Sequence, residues 1–120
     1  MNEYDKKLFG GFIRRRRQHV FENLSLSWFA ERIGISKAYL SRIELGYEIP
    51  TEDVIKLIAE ELFLDTDFLL SMAGKISSDL VKIIIDRPSR IVDLLRICGE
   101  LDRKKLELLF ATAQTLGKGE

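Results

Sequence analysis

The spacing of apolar residues along this chain is helical. Apolar side chains recur at intervals of three and four residues, which places them on one face of an α-helix. β-Branched residues do not alternate with polar ones over any useful length, and the apolar cluster at 81–85 lies inside a helical pattern. The pattern therefore predicts an all-α fold.

Capping and turn residues divide the first 74 residues into five predicted helices. Their approximate spans are 5–19, 26–33 after the N-cap Ser25, Ser36 to Gly46, a segment introduced by Pro50 and Thr51, and a segment from Asp65 or Thr66 to near Gly74. Gly34 ends the second helix, because glycine takes a positive φ without strain.

Three further helices are predicted between residues 75 and 120. Their boundaries are set by Ser77 or Ser78, by Pro88 in the first turn of the middle helix, by Gly99 with Asp102, and by Gly117. We therefore predict two regions, an N-terminal domain at 1–74 and a helical extension at 75–120.

The charge of the chain is unevenly distributed, although the formal net charge is zero. Residues 1–46 contain nine Lys and Arg against five Asp and Glu, whereas residues 47–120 contain ten against fourteen. Four arginines are consecutive, at 14–17. An asymmetry of this kind points to a nucleic-acid-facing half, although an arginine run can equally be a solvated helix face.

Several function classes find no support in the composition. The single cysteine, Cys98, excludes an intrachain disulfide, and no apolar run approaches the ~20 residues that span a bilayer. No catalytic triad, metal-ligand cluster or glycine-rich phosphate loop can be named. We expect a cytoplasmic protein that is not an enzyme, with no catalytic residues, no metal, no cofactor and no membrane partner.

The second and third predicted helices form a candidate helix-turn-helix around Gly34. Ala30 lies where the two helices approach most closely, and Leu40 and Ile43 would pin the third helix on its apolar side. The opposite side then carries donors and a small apolar group in a set that can read base edges in the major groove of DNA: Lys37, Ala38, Ser41 and Arg42.

These residues closely resemble the phage-repressor or XRE-type (Cro-like) helix-turn-helix family. The match covers about residues 9–73 and rests on these stretches: Ile13-Arg14-xx-Arg17, Leu24-Ser25-xxx-Phe29-Ala30-Glu31-xx-Gly34-Ile35-Ser36, Tyr39-Leu40-Ser41-Arg42-Ile43-Glu44-x-Gly46-xxx-Pro50, Val54-Ile55-Lys56-Leu57-Ile58-Ala59 and Asp65-xx-Phe68-Leu69-Leu70. The resemblance implies a five-helix lambda-repressor-like domain, here with additional C-terminal helices.

The resemblance also implies roles for single residues. Bases would be contacted by Lys37, Ala38, Ser41 and Arg42. Phosphates would be contacted by Arg14, Leu26, Ser27, Tyr39 and Tyr47. Arg17 and Glu44 would form a structural ion pair between the first and third helices.

Three departures from the family pattern weaken the expected backbone contacts. The family usually has glutamine at the position of Leu26, where it bonds a phosphate. It usually has a basic residue after the glycine that ends the third helix, whereas Tyr47 and Glu48 follow here. The connection between Arg17 and Ser25 is also about two residues longer than is typical.

The extension at 75–120 has apolar stripes that are too rich to be left in water. The last helix carries a candidate isologous dimer interface, formed by Leu106, Leu109, Phe110, Ala113 and Leu116. The alternative is that this helix folds back onto the first and fifth helices and completes a monomeric core.

Together these features predict a dimeric, sequence-specific DNA-binding transcriptional regulator, a repressor or autoregulator, that binds an inverted repeat in double-stranded DNA. The layout resembles phage repressors, restriction–modification controllers and antitoxin autorepressors, and the sequence does not choose among them. The alternative is a protein-binding module, an antitoxin or adaptor, that uses the same scaffold to bind a protein such as a toxin or a protease.

Overall fold

The computed structural model describes residues 2–118, except for the side chains of Tyr4 and Pro88, and these residues form helices and turns only. The helices are α1 (Glu3–Val20), α2 (Leu26–Ile33), α3 (Lys37–Leu45), α4 (Glu52–Glu61), α5 (Thr66–Met72), α6 (Ser78–Asp86), α7 (Pro88–Glu100) and α8 (Arg103–Lys118). The chain divides into two compact units, one ending at Ser77 and one beginning at Ser78.

The first unit starts four of its helices on predicted side-chain caps. Backbone N–H groups that lack a partner inside the helix are bound by the side chains of Ser25, Ser36, Thr51 and Asp65 at distances of 3.0–3.4 Å. The predicted caps are confirmed, and Asp65 rather than Thr66 caps α5.

The core of this unit comes from one face of each of its five helices. Its fully buried apolar residues are Phe9, Ile13, Phe29, Ala30, Ile33, Leu40, Ile43, Ile55, Ile58, Ala59, Leu62, Leu69, Leu70 and Ala73. Three apolar residues that follow the helical spacing are nevertheless about half exposed, namely Leu8, Leu57 and Phe68. Phe68 still contacts α1, because its ring centroid lies 6.1 Å from that of Phe12.

Helices α1 and α3 pack with their backbones in close approach. A Cβ atom added at Gly10 would lie 2.7 Å from the carbonyl oxygen of Glu44, closer than real side chains come. Gly10 therefore lets α1 lie directly against the α3 backbone, and this contact orients α3 in the unit.

Arg16 stabilises the end of α4. Its Nε donates to the carbonyl oxygen of Leu62 at 2.9 Å. The next residue, Phe63, has a left-handed backbone (φ 57°), an unfavourable conformation for a residue other than glycine. Arg16 is thus a structural residue in the middle of the arginine run, while Arg14 and Arg15 are exposed.

The second unit consists of α6, α7 and α8, with α6 packed against α7. Two predicted boundaries are wrong here, because Gly99 lies inside α7 and Gly117 inside α8. Asp102 does cap α8, accepting a hydrogen bond from the Lys105 N–H at 2.9 Å. None of the described side chains in this unit is fully buried.

Candidate nucleic-acid interface

The turn between α2 and α3 follows a two-bond capping pattern centred on Gly34. Gly34 has a φ of 79°, its N–H bonds the Glu31 carbonyl at 3.1 Å, and the Ile35 N–H bonds the Ala30 carbonyl at 3.0 Å. This is a Schellman motif, which satisfies the last carbonyls of α2 and redirects the chain into α3.

The same motif ends α3 at Gly46. Gly46 has a φ of 83°, and the Tyr47 N–H bonds the Arg42 carbonyl at 2.9 Å. A Cβ at this position would also lie 2.7 Å from Cα of Lys7. Helix α3 therefore lies between two left-handed glycine turns, one that ends α2 and one that ends α3 itself.

Helix α3 has a buried inner face and an accessible outer face, as predicted from its sequence. Leu40 and Ile43 are completely buried. On the outer face, Lys37, Ala38 and Arg42 are exposed, and Ser41 is half-buried. The structure thus brings the four candidate base-contacting residues onto one surface, which we call the outer α3 face.

The pair expected from the family resemblance is formed between α1 and α3. Arg17 Nε donates to Glu44 Oε2 at 2.7 Å, and Arg17 Nη2 donates to Glu44 Oε1 at 2.9 Å. Their side chains are only 8% and 5% exposed. Arg17 therefore faces the interior and ties α3 to α1, in contrast to the exposed Arg14 and Arg15.

A cavity of about 280 Å³ lies where α1, α2 and α3 meet. It is lined by Arg14, Arg17, Leu26, Ser41, Glu44 and Leu45. The structure thus places Arg14 and Leu26, two of the candidate phosphate contacts, beside Ser41 on the outer α3 face. No acidic residue lies in the first turn of α2 or α3, so the positive ends of both helices remain available to an anion.

The other candidate phosphate contacts differ in exposure. Ser27 is exposed in the first turn of α2, and Tyr47 is 70% exposed beyond α3. Tyr39 is half-buried, and its ring lies 5.7 Å from the guanidinium carbon of Arg42. The aromatic ring thus limits the positions that the Arg42 side chain can take.

Two features of this surface were not predicted from the sequence. Arg42 Nε donates to Glu48 Oε2 at 2.9 Å, so one of the two residues that replace the family's usual basic residue is paired with a candidate base contact. Lys6 and Lys7 of α1 line a small cavity of about 140 Å³ with Gly46 and Tyr47. Only the turn at Gly46 brings these residues together, and no local spacing in the sequence reveals that.

The candidate dimer residues lie in the second unit, on α8. The exposed fractions are 42% for Leu106, 59% for Phe110 and 74% for Leu116. Ala113 is also exposed, and Leu109 is half-buried. The stripe predicted from the sequence is therefore largely accessible in a single chain.

Within residues 2–118, no group of three or more His, Cys, Asp and Glu side chains is arranged to hold a metal ion. A search of the same residues finds no helix with the length and apolar character needed to cross a membrane.

Comparison with known proteins identifies the N-terminal part of the chain. Residues 13–69, which run from α1 into α5, match the family model described as helix-turn-helix. This segment is therefore similar to helix-turn-helix proteins. In the helix-turn-helix domain, α2 and α3 are the two helices that flank the turn at Gly34.

Two curated relatives match part of this chain. They are named as uncharacterized HTH-type transcriptional regulators of two Mycobacterium tuberculosis strains, CDC 1551 / Oshkosh and ATCC 25618 / H37Rv, and each is 38% identical over 65 residues. The match covers 54% of this chain and 45% of each relative, so the chain spans less than half the length of these proteins.

One solved structure with a similar backbone is that of a SinR protein/SinI protein complex. The two backbones match with a TM-score of 0.47 at 23% sequence identity. The match covers 93% of this chain and 99% of the chain in the solved structure.

Proposed function

We propose that this protein is a sequence-specific transcriptional regulator that binds double-stranded DNA as a dimer and represses by occupying an inverted-repeat operator. The observation that carries the proposal is the outer α3 face. Buried Leu40 and Ile43 and the two glycine turns hold α3 so that its donor-rich side points away from the core. Such a surface fits the major groove, which admits one α-helix.

The side chains of the outer α3 face suit the reading of bases. Lys37 and Arg42 carry long donors that reach the acceptors O6 and N7 of guanine, Ser41 can donate or accept, and Ala38 can contact a thymine methyl group. Charge supports the same orientation, since the first 46 residues carry the excess of Lys and Arg.

Phosphate contacts would flank the bases on both sides of α3. We assign Arg14 and the first turn of α2, at Leu26 and Ser27, to one strand, because Arg14 and Leu26 line the same cavity and the first N–H groups of a helix attract anions. Tyr39 and Tyr47 would contact the backbone near the other end of α3. Leu26 offers only its backbone N–H, since its side chain cannot bond a phosphate.

Dimerisation is assigned to the second unit. A helix with exposed leucine and phenylalanine side chains on one face gains stability when that face is buried. An isologous contact would bury the α8 stripe of each copy against the same stripe of the other. Two copies would present two α3 helices to half-sites about 34 Å apart. Because its target is DNA, we propose that the protein acts in the cytoplasm of a prokaryotic cell.

The test is selection of bound duplexes from a random library at two salt concentrations. We expect an enriched inverted repeat with half-sites about one helical turn apart, whose binding persists at the higher salt. A promoter that carries the selected repeat should lose transcription when the protein is expressed. Binding that shows no sequence preference and disappears as salt rises would contradict the proposal.

A second candidate function is a module that binds a protein partner, such as a toxin or a protease, through the same scaffold. The observation that favours it is the apolar surface of α8, where Phe110 and Leu116 are 59% and 74% exposed. This candidate predicts the opposite result in the library selection, with no enriched sequence, together with burial of α8 by a different protein.

A further inference from the structure

The pairing of Arg42 with Glu48 gives the outer α3 face a feature that its sequence did not suggest. Glu48 lies beyond the end of α3, six residues after Arg42 and two after Gly46. The Schellman turn at Gly46 folds this segment back, so that Arg42 Nε donates to Glu48 Oε2 at 2.9 Å. The Tyr39 ring lies on another side of the same guanidinium, 5.7 Å from its central carbon.

We propose that Glu48 is a positioning residue for base recognition, holding the Arg42 guanidinium so that its two terminal amino groups point toward a guanine. The inference rests on the proposed function, because it assigns a specificity role within the same DNA interface. It commits to a guanine, whose O6 and N7 acceptors accept two parallel N–H bonds from one arginine.

The hydrogen-bond pattern indicates that Glu48 orients the Arg42 side chain without occupying the amino groups that would contact a base. Among the described residues, Arg42 uses Nε alone toward Glu48, while Arg17 uses both Nε and Nη2 toward Glu44. A guanidinium held at Nε keeps its Nη1 and Nη2 groups available for a bidentate contact. The Arg42 and Glu48 side chains are 50% and 44% exposed, so an approaching base edge can reach the pair.

Positioning has an energetic rationale even though an exposed ion pair adds little to folding. A free arginine side chain loses rotamer freedom when it binds, and a side chain that is already restrained by Tyr39 and Glu48 loses less. The negative charge of Glu48 also lies near the DNA backbone and weakens the attraction to phosphates of any sequence. Glu48 should therefore lower non-specific binding and raise discrimination at the same time.

The experiment compares Glu48→Gln with wild type on three duplexes. These are the duplex selected from the random library, the same duplex with the guanine that Arg42 reads replaced by adenine, and a random-sequence duplex. That guanine is identified as the position where the Arg42→Ala variant loses discrimination. Discrimination is the ratio of the dissociation constants for the substituted and the selected duplex.

We expect Glu48→Gln to lower discrimination about two- to fivefold, the range for an exposed ion pair, while binding to the random duplex becomes tighter. In the Arg42→Ala background, Glu48→Gln should leave discrimination at that position unchanged. The matched control is Glu61→Gln, which removes the same charge from another solvent-accessible pair, Arg32–Glu61 at 2.6 Å. The control should keep wild-type discrimination.

Three results would overturn the inference. Equal tightening on all three duplexes by Glu48→Gln would make Glu48 a phosphate-repelling charge only. An equal loss of discrimination with and without Arg42 would show that Glu48 does not act through Arg42. A wild-type protein with no sequence preference would overturn the inference together with the proposed function, whereas the first two results leave that function standing.

Discussion

Arg17 of α1 and Glu44 of α3 are joined by two hydrogen bonds in the interior of the first unit, at 2.7 and 2.9 Å. One charge of this pair cannot be removed without leaving the other buried and unpaired. The pair lines the same cavity as Ser41 of the outer α3 face, and it joins α3 to α1.

The first prediction concerns the stability of this pair. Glu44→Ala should lower the free energy of unfolding by about 3–5 kcal/mol, because Arg17 is left as an uncompensated buried charge. Urea unfolding in the absence of DNA measures the change. Glu61→Ala is the control and should cost at most about 1 kcal/mol, since the Arg32 and Glu61 side chains are 51% and 29% exposed. Equal small losses in both variants would refute the burial argument.

The second prediction concerns two neighbouring glycines of α1. Gly10→Ala should destabilise the domain by about 1–3 kcal/mol, because the new methyl group collides with the α3 backbone. Gly11→Ala should instead stabilise it by about 0.5–1 kcal/mol, since alanine favours a helix and the nearest atom, Nη1 of Arg15 at 3.2 Å, can move. Thermal unfolding of both variants tests this, and effects of the same sign would contradict the predicted close approach.

The third prediction separates base contacts from phosphate contacts. Arg42→Ala should cost about 1–3 kcal/mol on the selected duplex and relax the preference at one base position. Arg14→Ala should weaken binding to all sequences to a similar extent. It should also reduce the slope of the logarithm of the binding constant against the logarithm of the salt concentration by about 1, the value for one phosphate contact. Titrations at several salt concentrations measure both effects. An Arg42→Ala variant with unchanged discrimination would remove Arg42 from the set of base-contacting residues.

The fourth prediction concerns the α8 stripe. Phe110→Glu should shift the protein from dimer to monomer, because a charge in an apolar interface must be desolvated. Leu108→Glu is the matched control, since Leu108 lies on the opposite side of α8 and is similarly exposed, at 65% against 59%.

Sedimentation at several protein concentrations gives the oligomeric state of both variants. A wild-type chain that stays monomeric throughout would favour the alternative in which α8 completes a monomeric core. Dissociation by Leu108→Glu as well as by Phe110→Glu would place the interface elsewhere.

Features fixed by local chemistry were predictable from the sequence. Ser25, Ser36 and Asp65 cap helices because short polar side chains bind free N–H groups a few residues ahead. Gly34 and Gly46 end helices because they take the left-handed conformation. The same rule failed at Gly99 and Gly117, because glycine is also tolerated inside a helix at a moderate cost.

Features that depend on distant neighbours could not be predicted in this way. Arg16 looks like its neighbours in the arginine run, and only the packing of α1 beside the end of α4 makes it a donor to Leu62. Gly10 is an ordinary helical glycine until α3 is placed against it. The Arg42–Glu48 pair likewise exists only after the chain has turned at Gly46.

The length of α3 has a consequence for how much sequence the protein can recognise. Nine residues make a helix of about 14 Å, which spans about four base pairs of DNA at 3.4 Å each. A given word of four base pairs recurs about once in 256 positions, and two half-sites together recur about once in 65,000, against ~10⁶ or more competing sites in a genome. Under the proposed function, base contacts from two α3 helices are therefore not enough to specify a single site in a genome. That frequency already assumes a fixed spacing of the half-sites, so the remaining information must come from the deformability of the base pairs between them.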